Sequence, residues 1–243
     1  MNRSVFGQFA VRVRNKLLFI PATLHLITAL RGKKPTELWI GDSHAMSTNH
    51  AVVSSMFMRG ADGQLILRAG ARLLYSISQT GWGPRITRVV RLISPFVKPG
   101  SLVPIFSAGE IDIRAHLAKR PDETYEFVHQ YVDQCERIVV QLKAEKSAYM
   151  WPTPQCATPQ DQVWFPMVGT LAERYAISLR LRGALAEAIS KYPHAVLLDF
   201  NDALADPETG GIRPEFTDDG AHTNLAAVAV VREQIAGYRL LER

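Results

Sequence analysis

The chain has 243 residues, 47% hydrophobic and 21% charged. That suits one globular domain with a sizeable core and excludes collagen-like, disordered and low-complexity readings. The net charge of +5 is concentrated at one end, because Arg3, Arg12, Arg14, Lys16, Arg31, Lys33 and Lys34 all precede the first acidic residue, Glu37, leaving 21 basic against 23 acidic residues from Glu37 onward. With no basic stripe interleaved with aromatics in the remainder, nucleic acid is excluded as a partner.

In chain order, residues 1–34 read as a basic, apolar N-terminal segment and 35–243 as the main domain. Residues 17–30 superficially match a signal peptide. Pro21 and His25 interrupt the apolar run, no small-x-small site follows, and the run is shorter than the roughly 20 residues that span a bilayer. A helix docked on the domain, a helix lying on an anionic membrane surface and a helix capping an acyl-binding pocket all remain open. The expected location is cytoplasmic, at most peripheral to the inner membrane face.

Strand-length apolar runs follow at Glu37 to Ile40, Leu65 to Leu67, Leu102 to Phe106, Ala148 to Trp151 and Val196 to Asp199. Helical patterns cover His44 to Arg59, Arg85 to Val97, Pro121 to Lys143, Leu171 to Lys191 and Leu225 to Leu241. This alternation predicts the α/β class: a single doubly wound, flavodoxin-like parallel sheet of about five strands with helices on both faces. Pro104 conflicts with a central strand, where a ladder donor is needed, and predicts a bulge or an early strand position.

Ligands of such sheets sit beyond the C-terminal strand ends, and the polar motifs fall there. Gly41-Asp42-Ser43-His44 follows the first strand, and Asp219-Gly220-Ala221-His222 precedes the last helix. A serine hydroxyl attacks an ester when an imidazole takes its proton and a carboxylate orients that imidazole. A third cluster, Gly109-Glu110-Ile111-Asp112, follows an intervening strand. Each motif also has a plain reading as a turn; their order along the chain favours an active site.

With these blocks the chain resembles the SGNH hydrolases, the GDSL esterase and lipase superfamily, over roughly residues 36 to 240. The resemblance implies Ser43 as nucleophile, His222 as general base and then acid, and Asp219, rather than Asp218, as its orienter. It implies Gly70 as a second-block oxyanion donor beside the Ser43 N–H, with Gly81 the poorer candidate. The family's third block usually carries an asparagine donor where this chain has Ile111. The Gly-Glu-Ile-Asp variant resembles a subgroup linked to bacterial surface polysaccharides. Arg114 is the nearest replacement donor, or else it pairs with Glu110 or Asp112 in a structural ion network.

The expected function is therefore a serine-dependent acyl-ester hydrolase working through an acyl-serine, on a small acyl ester, acylated saccharide or glycolipid. Alternatives are an O-acyltransferase with acyl-CoA as donor substrate and a catalytically weak carbohydrate-binding module. No cofactor and no metal are expected. Asp42, Glu110, Asp112, Trp151 and Trp164 are candidate substrate contacts, the last two in a proline-stiffened loop. Cys135 and Cys156 have no metal-ligand or redox spacing, and His44, His50, His116, His129 and His194 read as surface or packing residues.

Overall fold

Apolar runs buried on both faces form the middle of the molecule, as a helix-covered parallel sheet requires. The computed structural model describes residues 24–30, 32, 34–46, 57–60, 63–155, 167–218, 222–238, 240 and 241. Its strands are β1 (Thr36–Gly41), β2 (Phe57–Arg59), β3 (Leu65–Arg68), β4 (Leu102–Ser107), β5 (Ser147–Met150) and β6 (Ala195–Leu198). They make one sheet in the order β2-β3-β1-β4-β5-β6, parallel throughout except for β2, which pairs antiparallel with β3 at the edge. The five parallel strands have the flavodoxin-like order, with the switch in winding direction between β1 and β4.

The helices are α1 (residues 24–30), α2 (Leu74–Thr80), α3 (Gly83–Ile93), α4 (Thr124–Gln141), α5 (Leu171–Ile189), α6 (Asn201–Leu204) and α7 (Leu225–Gly237). Side chains alternate across β1. Leu38 and Ile40 join Leu65, Leu67, Phe106 and Tyr149 in a core with residues of α1 to α5, whereas Trp39 joins Ile66, Ile105 and Met150 against Ala227, Val231 and Ile235 of α7. Helix starts follow their capping chemistry. Thr170 and Glu173 form a capping box on α5, and the Asn224 side chain accepts from the Ala226 and Ala227 N–H groups of α7.

Three expectations change. The helix expected over His44 to Arg59 is instead a 3₁₀ turn, Ser43–Met46, and the edge strand β2, with residues 47–56 outside the described set. Phe57 is buried against the sheet opposite Leu67, and that pairing outweighs the weak helical period of the segment. Helix α2 has no counterpart among the helical patterns of the sequence, and its start depends on a side chain distant in sequence. Pro104 lies within β4 without a bulge: Ser101 and Ser107 accept from β1, so odd-numbered residues face β1 and Pro104 faces β5, one residue before that pairing begins at Ile105 opposite Ala148. No ladder donor is lost there.

Of the N-terminal segment, α1 is described, and Leu26, Ala29 and Leu30 are buried in the core while Leu24 and Ile27 are exposed. Among the described residues no helix is long and apolar enough to cross a membrane.

Candidate active site

The end of β1 is clamped on both sides. The Ala69 N–H donates to Gly41 O at 2.6 Å and the Asp42 N–H to Ser107 O at 3.3 Å. A Cβ on Gly41 would lie 2.1 Å from Ser107 O, so only glycine fits between β1 and β4 at this point. Asp42 Oδ1 then accepts the His44 N–H at 2.8 Å, closing an Asx turn that presents Ser43 above the strand ends.

Across the crevice, His222 Nε2 lies 3.0 Å from Ser43 Oγ. This is the contact expected of a base and nucleophile 179 residues apart in sequence. Its loop is tied to the base of α7: the Asn224 N–H donates to Phe216 O, and Asn224 Nδ2 donates to Glu215 O and to Asp218 Oδ1. Asp218 is exposed and holds Asn224. Asp219, the expected orienter, lies outside the described residues.

Behind the dyad lies a buried charged cluster. His44, 5% exposed, stacks on His222 with ring centroids 5.1 Å apart and planes inclined by 21°. Its Nε2 is 3.4 Å from Glu110 Oε2, its Nδ1 is 3.1 Å from Thr153 Oγ1, and Glu110 Oε1 faces Arg114 Nε at 3.2 Å. Burial disfavours the His44 cation, but the hydrogen bond and charge of Glu110 outweigh it and raise the imidazole's pKa. Burial likewise works against the Glu110 carboxylate, and His44 and Arg114 overcome it, so this acid is held below its usual range. Asp42 is pushed up by burial, against the pull of the His44 ring and N–H.

Sequence reasoning placed His44 among the packing histidines; it is packed, but against the catalytic candidate. Thr153 was missed. Its only signal was membership of the Trp151-Pro152-Thr153-Pro154 run beyond a strand end. Arg114 sits in the ion pair with Glu110, the second of its two expected placements.

Asp112 is bound to the start of α2. It is 1% exposed, and its carboxylate accepts the Leu74 N–H at 2.6 Å and the Tyr75 N–H at 3.2 Å, so it starts α2. Gly70 precedes that helix in the loop beyond β3, with φ at +84° and open space where a side chain would be. Trp151 is 4% exposed, and its indole N–H donates to Ser178. Trp164 lies outside the described residues. Among the described residues, no group of three or more His, Cys, Asp and Glu side chains is arranged to hold a metal ion.

No protein-family model matches the sequence, and no curated protein does. Solved structures do. A protein from Bacteroides fragilis provisionally named an acylhydrolase superposes with a TM-score of 0.53 at 14% identity, over 89% of this chain and 92% of that one. A GDSL-like lipase from Bacteroides thetaiotaomicron gives 0.50 at 12% identity, over 89% and 96%. A carbohydrate acetylesterase from Sinorhizobium meliloti gives 0.50 at 18% identity, over 84% and 98%. The fold is that of the GDSL-like lipase and acylhydrolase structures. At these identities the likeness is one of fold, and the chemistry rests on the site.

Proposed function

We propose that the protein is a serine-dependent acyl-ester hydrolase of the SGNH type. The observation that carries this reading is the 3.0 Å contact of His222 Nε2 with Ser43 Oγ beyond the C-terminal end of β1, at the switch point where doubly wound sheets bind their ligands. His222 takes the Ser43 proton as Oγ attacks the ester carbonyl. The Ser43 and Gly70 N–H groups receive the oxyanion, and His222 returns the proton to the departing alcohol. Water then cleaves the acyl-serine by the same steps, with Asp219 orienting His222.

Acylated carbohydrate is the substrate class we favour, in keeping with the carbohydrate acetylesterase among the structures of like fold. Transfer of the acyl group to a sugar hydroxyl needs the same residues, and an acyl-CoA donor would then replace the ester.

The test is covalent labelling of Ser43 by a fluorophosphonate, with turnover of a small acyl ester by Ser43→Ala, His222→Ala and the double variant. Each single change should bring turnover close to background, and the double should lose little more, because the two act as one unit. Additive losses, or labelling that survives Ser43→Ala, would refute the assignment. Partition of the acyl-enzyme between water and added saccharide then separates hydrolysis from transfer.

A further inference from the structure

We propose that His44 is a positioning residue for proton transfer at Ser43: paired with Glu110, it carries the resting positive charge of the histidine pair, and its face sets the plane of His222. The inference rests on the reading of Ser43 and His222 as nucleophile and base.

Both ring nitrogens of His44 are committed away from the reacting atoms, Nδ1 to Thr153 Oγ1 at 3.1 Å and Nε2 to Glu110 Oε2 at 3.4 Å. The ring therefore offers the site no donor or base. What it presents to His222 is its face, at 5.1 Å and 21°, an arrangement that restricts rotation of the His222 ring while leaving Nε2 on Ser43.

Charge decides where a shared proton rests. Among the described residues, the groups facing His44 include Asp42 after β1, Glu110 and Arg114 after β4, Thr153 after β5 and His222 before α7. Glu110 lies buried between the Arg114 guanidinium and the His44 ring, and a buried carboxylate favours positive charge on the groups against it. His44 lies against Glu110 and supplies that charge. Two stacked imidazoles at this distance resist being cationic together. A charged His44 thus opposes a second positive charge on the stacked His222 ring. During attack only the Ser43 proton moves: the Oγ–H bond breaks as the Nε2–H bond forms, Oγ bonds to the carbonyl carbon as the carbonyl π pair moves onto its oxygen, and the proton on His44 stays.

Two substitutions separate charge from ring. His44→Phe keeps a flat ring and loses the charge, whereas His44→Gln keeps hydrogen-bonding capacity and loses both ring and charge. In the full chain, the rate of Ser43 labelling by a fluorophosphonate is measured against pH. Both variants should move the acid limb upward by about one pH unit, because His222 then holds its proton more tightly. His44→Gln should in addition lower the high-pH plateau by about tenfold through lost alignment. Imidazole nitrogen NMR of the unmodified chain gives a readout independent of either variant folding, and should show His44 doubly protonated where His222 is neutral. An unmoved limb with Ser43-specific labelling, or a neutral His44 beside a charged His222, would overturn the proposal alone. Labelling that persists in Ser43→Ala would overturn the nucleophile reading and this proposal with it.

Discussion

Replacing Asp112 by alanine removes the acceptor of the Leu74 and Tyr75 N–H groups, the two donors that open α2. A buried donor left without a partner costs about 1 to 3 kcal/mol. Leu74 is buried and Tyr75 half-buried, so the expected loss is about 2 to 4 kcal/mol, at or above the usual cost of a lost cap. For a chain of this size that lowers Tm by roughly 5 to 15 °C. A pH dependence accompanies it. Burial raises the Asp112 carboxyl from 3.8 to about 7, against the pull of the Leu74 and Tyr75 N–H groups. Between those values the folded chain keeps a proton that the unfolded chain has released. The stability this group contributes is therefore fully present below about pH 4 and is lost as pH rises toward 7. At about 1.4 kcal/mol per unit the effect has a ceiling near 4 kcal/mol. Asp112→Asn fixes the neutral form while keeping an acceptor, so its stability should be flatter over this range. Urea denaturation of the three proteins at pH 5 and pH 7.5 measures both effects. An alanine variant within about 0.5 kcal/mol of the parent, or an asparagine variant with the parent's pH slope, would refute the reasoning.

Arg114→Ala leaves Glu110 with His44 as its remaining cation in the pair geometry shown. A partly stranded buried carboxylate should lower stability by up to about 3 to 5 kcal/mol, with ester turnover per folded molecule little changed. A turnover loss of about a hundredfold at unchanged Tm would instead make Arg114 the replacement oxyanion donor, since that is the scale for losing one such donor. Deleting residues 1–30 strips Leu26, Ala29 and Leu30 from the core. It should cost about 3 to 5 kcal/mol more than deleting residues 1–23, at about 1.5 to 3 kcal/mol per buried leucine. Equal stability of the two truncated chains, measured by urea denaturation, would show that α1 contributes nothing to the domain.

The sequence by itself determined the five parallel strands, because each is a short apolar run bounded by turn residues, buried on both faces in the middle of the sheet and half-buried in β6 at its edge, and such burial leaves its mark residue by residue. It determined four of the helices near their observed limits for the same reason, through the 3.6-residue period and local caps such as Thr170 with Glu173 and Asn224. It also singled out Ser43 and His222, since a serine just past a strand end and a histidine just before a helix are local signals. Tertiary structure alone decided the rest. Residues 57–59 became a strand because the β3 edge was there to pair with them, and three residues have no period to read. Asp112 turned out to start a helix 38 residues earlier in the chain. His44 gained its meaning from the His222 ring against its face and from Glu110 behind it. Local preference acts over a few residues, whereas these partners meet only once strand order has brought the ends of β1 and β4 side by side. A buried polar side chain is defined by what it meets there.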